Sequence, residues 1–112
     1  PNRMRRSGDF TETMRQGRRG SGGTVSVHLK FGLTEDPALV GFVVSKAVGG
    51  SVVRHRVQRR LRHLVRERVS DLPGGTRVVV RAHPAAATAS SDELARDLSR
   101  AIWTASGKAA RP

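Results

Sequence analysis

At 112 residues the chain has room for one domain with a modest core, and the absence of cysteine excludes disulfides, thiolate zinc sites and thiol catalysis. A net charge of +12, from 21 basic and 9 acidic residues, implies a polyanionic partner, nucleic acid before an acidic membrane surface. No apolar run approaches the roughly 18 residues of a membrane span.

All but three of the basic residues (Lys30, Lys46 and Lys108) are Arg. A guanidinium forks onto phosphate and stacks flat on bases, which an ammonium does not do, so the choice favours nucleic acid over membrane. A GC-rich genome also raises Arg over Lys, but it does not account for the net charge. The basic N-terminus has no apolar stretch behind it, so it is not read as a secretory signal. A reducing cytoplasm is compatible with the lack of cysteine.

Taken in order, residues 1–8 form a basic segment expected to be flexible. Ser7 or Asp9 is a candidate cap for a short helix ending near Gln16, with Phe10 and Met14 on one face and Gly17 as its stop. RRGSGG then reads as a mobile basic loop. Thr24 to Phe31 alternates, Val25, Val27, Leu29 and Phe31 on one side and Thr24, Ser26, His28 and Lys30 on the other, which predicts a half-buried strand with a polar open face. After an acidic turn, Leu39 to Ser45 reads as a more buried strand, expected to pair antiparallel with the first.

Gly49-Gly50 breaks that strand, and Ser51 is the candidate N-cap of a long helix. On a helical wheel Val53, Val57, Leu61, Leu64 and Val65 fall within about 120°, an ordinary core stripe. Arg56, Arg59, Arg62, Arg66, His55 and His63 cover the rest, and Arg60 sits at the apolar edge, where its stem has to snorkel. Glu67 is the one acid in the helix, so salt bridges along it cannot neutralise this face. A charge run is ordinarily a solvated face. Here the excess of Arg over Glu favours contact with nucleic acid.

DLPGG ends the helix, and Thr76 to Ala82 is a Val-rich strand. Strand, helix, strand in this order predicts a parallel pair joined by a crossover. HPAAATA reads as a loop. Ser90-x-x-Glu93 is a capping box for a last helix with Leu94, Leu98, Ala101 and Ile102 buried, Trp103 off the stripe and Gly107 as terminator, followed by a tail at 107–112 expected to be flexible.

The four His are scattered, no His/Asp/Glu group has metal-ligand spacing, and Gly49-Gly50-Ser51 lacks the phosphate-loop frame. An autonomous active site is therefore not expected, and no catalytic residue or protein metal ligand is assigned. Phe10 and Met14 either seal the core or offer unpaired bases an apolar platform. His28 and Lys30 either face solvent or line the same groove.

The stretch VVSKAVGGSVVRHRVQRRLRHLVRE closely resembles the signature of the bacterial ribonuclease P protein subunit: a strand ending in Ser-Lys, a glycine turn, then an arginine helix. NRMRRSGDFTETMRQGRR resembles the family's first helix, and VVVRAHPAA with SSDELARDL its last strand and helix. The match runs from about residue 2 to 105. His55 stands where the family usually has Asn, and Met14 where an aromatic is frequent.

The resemblance implies a single α+β domain over 1–112: a small ribosomal-protein-like sandwich with a central three- to four-stranded sheet, three helices and a left-handed βαβ crossover. It implies a protein subunit whose RNA partner cleaves precursor transfer RNA to give the mature 5′ end. Arg54, His55, Arg56, Arg59, Arg60, Arg62 and Arg66 would dock on the catalytic RNA. Phe10, Met14, His28, Lys30, Ser45 and Lys46 would border the single-stranded 5′ leader. Ser45 and Lys46 lie near the positive end of the following helix, a suitable place for phosphate. Mg2+ would be held by RNA and substrate.

The competing expectation is a structural RNA-binding protein of ribosomal type without a role in tRNA processing. A DNA reader lacks a second helix at helix-turn-helix spacing, and a self-sufficient nuclease lacks a carboxylate cluster. Neither DNA nor membrane is expected as partner, and the cytoplasm is the expected location.

Overall fold

The computed structural model describes residues 7–70 and 72–107. The expectations for residues 1–6, the candidate cap chemistry of Ser7 and Asp9, and the tail from 108 lie outside what is described.

Helix α1 (Ser7–Gln16) is followed by β1 (Arg18–Ser21), β2 (Val25–Lys30), β3 (Leu39–Val43), α2 (Ser51–Val69), β4 (Arg77–Ala82), a 3-10 turn (Pro84–Ala87) and α3 (Ser91–Ala105). The four strands form one mixed sheet in the order β1-β2-β4-β3. β1 and β4 run antiparallel to β2, while β3 and β4 are parallel and joined through α2, as strand-helix-strand spacing implies.

The Val-rich β4 takes the centre of the sheet because its residues are apolar on both faces: Val78, Val79 and Val80 are all fully buried. This corrects the expected antiparallel pairing of the first two long strands. β4 lies between β2 and β3, which do not pair. RRGSGG is likewise not a loop. Arg18–Ser21 is an edge strand in register with β2, Arg19 opposite His28 and Gly20 opposite Val27. Its glycine is a steric requirement: a Cβ on Gly20 would lie 2.0 Å from the carbonyl oxygen of Ala101 in α3.

One face of the sheet carries the core. Val25, Val27 and Leu29 of β2 and Val78 and Val80 of β4 pack with Val57, Leu61 and Val65 of α2 and Leu94, Leu98 and Ala101 of α3. Val53 and Leu64 are only partly buried at the margins of the expected stripe. The capping box of α3 forms as expected, with Ser90 Oγ accepting from the Glu93 N–H and Glu93 reaching back to the Ser90 N–H. Asp97 ties α3 to the sheet by accepting from Thr24 N–H (3.1 Å) and its hydroxyl (2.7 Å).

α2 departs from expectation at its start. Gly50, in extended conformation, is the N-cap and gives no side-chain bond. Ser51 is already helical, and its hydroxyl accepts from Arg54 Nη2 instead (3.4 Å). The HPAAATA segment is partly ordered as the 3-10 turn, with Pro84 leading it.

The second face of the sheet is where α1 lies. Thr13 is fully buried there, and Lys30 Nζ donates to Glu12 Oε1 and to Gln16 Oε1 (2.8 Å). Arg77 Nη1 adds a second cation to Glu12 at 3.3 Å. The polar face of β2 is therefore not open to solvent as its alternation suggests: Ser26 is fully buried and His28 nearly so.

Candidate nucleic-acid interface

Two surfaces, on opposite sides of the sheet, collect the candidate residues. The first is the outer face of α2. Its apolar stripe is locked into the core, which fixes the direction of everything else on the helix. His55, Arg56, Arg59, Arg62 and Arg66 are exposed, and Arg54 and Arg60 are half-buried.

Two of these side chains are held from behind. Arg56 Nη2 donates to the Ala87 carbonyl (3.1 Å) and Arg60 Nη1 to the Ala89 carbonyl (3.4 Å), so Arg60 reaches out of the apolar edge as its wheel position requires. Carbonyl acceptors orient a guanidinium without cancelling its charge. Arg56, Arg59, Arg60 and His63 line a pocket of about 510 Å³ beside Ser91, at the start of α3. Arg68 differs. Nε donates to Ser99 Oγ (2.9 Å), Nη1 to the Leu64 carbonyl (2.8 Å) and Nη2 to the Ala95 carbonyl (3.4 Å), so Arg68 fastens α2 to α3. Glu67, the acid of the helix, lies 3.9 Å from Arg68.

The second surface is the α1 side of the sheet. Phe10 and Met14 are half-buried on α1. Ser45 and Lys46 are exposed in the turn that leaves β3, where their carbonyls accept from Val48 N–H (3.1 Å) and Gly49 N–H (3.2 Å). Two members of this group are engaged or buried within the fold. Lys30 does not face an open groove, because its ammonium is engaged by Glu12 and Gln16. His28 is a buried floor residue whose Nδ1 has no protein partner. Burial first, and then the guanidinium groups of Arg19 and Arg81, push the His28 imidazole below its ordinary range. Glu12 is held below the usual carboxylate range, chiefly by its hydrogen bond and charge contact with Lys30.

Arg19 and Arg81 are the functional candidates that sequence reading missed. Both are exposed, and the register places them on either side of His28: Arg19 directly across from it on β1, Arg81 opposite Ser26 on β4. Val43 is the next residue in the Ser26–Arg81 row, two positions before Ser45. His83 Nε2 and Ser26 Oγ are hydrogen-bonded at 2.6 Å at the same end. A basic strip, Arg19 on β1 and Arg81 on β4, thus flanks His28 beside α1, and Lys46 lies in the turn past the end of β3. The available signal was slight: Arg81 interrupts the apolar run from Val78 to Ala82. Among the described residues no group of three or more His, Asp and Glu side chains is placed to hold a metal ion.

A chain of this sequence and fold has relatives among known proteins. The ribonuclease P family model matches residues 1–106. The chain is 55% identical over 102 residues to the ribonuclease P protein component of Nocardioides sp., covering 89% of this chain and 87% of that one. It is 49% identical to that of Streptomyces avermitilis, covering 98% and 96%. The chain belongs to the bacterial ribonuclease P protein component family.

The fold agrees. The RNase P protein of Staphylococcus aureus superposes with a TM-score of 0.83 at 20% identity, over 94% of this chain and 95% of that one. Membership makes the chain the protein part of a tRNA-processing ribonucleoprotein, partnered in general with ribonuclease P RNA and precursor tRNA. It decides against the ribosomal alternative. Among the described residues no helix is long and apolar enough to cross a membrane.

Proposed function

We propose that α2 docks on the catalytic RNA of ribonuclease P through Arg54, Arg56, Arg59, Arg60, Arg62 and Arg66, with His55 among them. The cleft between α1 and the sheet holds the single-stranded 5′ leader of precursor tRNA. The observation that carries this reading is the division of α2. One side is locked in the core by Val57, Leu61 and Val65, and the other presents unneutralised arginines, two of them pre-oriented by carbonyls. Each phosphate neutralised in this way releases counterions, so binding weakens steeply with salt.

Leader binding uses Phe10 and Met14 as an apolar wall, with Arg19, Arg81 and Lys46 as phosphate partners along the strip. Lys30 acts indirectly: with Arg77 it fixes Glu12 and so the position of α1. Hydrolysis belongs to the RNA. Mg2+ is carried by RNA and substrate, and the protein strengthens its binding by neutralising phosphate nearby. The site of action is the cytoplasm.

The test is reconstitution with the cognate RNA subunit at limiting magnesium. Addition of the protein is expected to raise the rate of precursor cleavage, and an unchanged rate would overturn the reading. A photoreactive group placed in the leader is expected to crosslink to position 10. Crosslinks confined elsewhere would leave Phe10 a core-sealing residue.

A further inference from the structure

α2 does not cover the sheet to its edge. Among the described residues β3 is the terminal strand, so the outer edge of its backbone has no strand partner there. Between that edge and the C-terminal half of α2 runs a groove of about 790 Å³. Phe42 and Leu72, both half-buried, contribute to its apolar lining. Arg62 and Arg66 on α2 and Glu35 and Asp36 on the loop before β3 also line it, and all four are exposed. Among the described residues none of these four side chains is ion-paired. Two arginines and two carboxylates left unpaired around an apolar floor suit a ligand of mixed chemistry: an anionic group, a flat apolar body and a hydrogen-bond donor.

We propose that this groove takes one unstacked nucleotide of the partner RNA, with its phosphate on Arg62 and Arg66, its base against Phe42 and Leu72, and an exocyclic amino group donated to Glu35 or Asp36. The inference rests on α2 docking on RNA and adds a base-reading pocket to an otherwise phosphate-directed face. Splayed bases held against aromatic side chains and read along their edges are the usual currency of RNA recognition, and carboxylates accept from base amino groups. An added polypeptide strand would also satisfy the edge of β3. It is the weaker occupant because Arg62 and Arg66 continue the arginine face of α2 without a break. Adenine, cytosine and guanine offer the required amino group; uracil does not.

The experiment uses the full chain, with Glu35→Ala and Asp36→Ala combined. Both residues are exposed, so the fold is expected to be unchanged by circular dichroism. The substitution raises the net charge of +12 by two, so nonspecific electrostatics alone would tighten RNA binding. A base-reading pocket instead loses acceptors, and affinity for the catalytic RNA is expected to fall by about fivefold or more. Binding as tight as wild type or tighter overturns the pocket while leaving the docking of α2 intact. Failure of the wild-type chain to bind the RNA overturns both. Chemical probing of the complex is expected to show one A, C or G protected by wild type and opened by the double variant. No such nucleotide, or a U, counts against the proposal, as does a wild-type dimer in sedimentation that the double variant dissociates.

Discussion

Leu61 and Arg59 are two residues apart on α2 and face opposite environments. Leu61 is fully buried in the core, whereas Arg59 is exposed on the arginine face. Leu61→Ala is expected to cost about 2–5 kcal/mol of stability, from lost apolar transfer and the cavity left behind. Arg59→Ala should leave the thermal melt near wild type and lower affinity for the catalytic RNA. Similar melts for the two variants would refute the division of the helix. His28 makes a second residue-scale case. Its imidazole titrates below the ordinary range in the fold because it is buried and flanked by Arg19 and Arg81. The unfolded chain therefore binds the proton more readily than the folded one. Stability from the neutral ring is complete above the unfolded value, about 6.5, and is lost as pH falls through the lowered folded value. Melting temperature should decline from pH 7 to pH 5, and His28→Gln should flatten that decline. An unchanged slope would exclude His28 as its source.

At the scale of elements, β1 depends on a contact that only glycine permits. α3 crosses so close to Gly20 that an added Cβ would collide with the Ala101 carbonyl. Gly20→Ala is therefore expected to displace α3 from the sheet edge and lower stability by about 1–3 kcal/mol, read as a drop in the thermal midpoint. The same contact explains why β1 was not legible. Arg18–Ser21 has no period-two pattern, and its pairing is determined by β2 and by α3 far along the chain. α2 was legible because its apolar spacing repeats over 19 residues and needs no partner to be recognised. The cap of α3 was legible for a similar reason, since Ser90 and Glu93 satisfy one another locally. The open face assigned to β2 failed because alternation reports which residues share a side and says nothing about what covers it. α1 covers that side through Thr13 and the Glu12–Lys30–Arg77 cluster. Arg19 and Arg81 were hidden as site residues on the same account: their proximity to His28 exists only once β1, β2 and β4 are in register.

Across the whole molecule the sheet separates two basic surfaces. α2 packs on the core face, and Arg19 and Arg81 lie on the α1 face, with the fully buried Val78, Val79 and Val80 between them. Sites with no shared partners should contribute independently, within about 0.3–0.5 kcal/mol. Arg59→Ala is expected to weaken assembly with the catalytic RNA whatever substrate is present. Arg19→Ala combined with Arg81→Ala should weaken binding of precursor tRNA to the assembled enzyme, leave binding of leaderless tRNA unchanged, and reduce the salt slope by about 0.7 for each single-strand phosphate contact removed. The triple variant should then show the sum of the two losses in apparent precursor affinity below saturating RNA subunit, and the Arg19 and Arg81 loss alone at saturation. A coupling energy well above 0.5 kcal/mol would mean that one RNA segment bridges both faces or that a surface change is transmitted through the sheet. A leader strip that acted only by raising the general positive potential would weaken precursor and leaderless tRNA alike. That outcome would remove the cleft from substrate recognition while leaving α2 as the docking element.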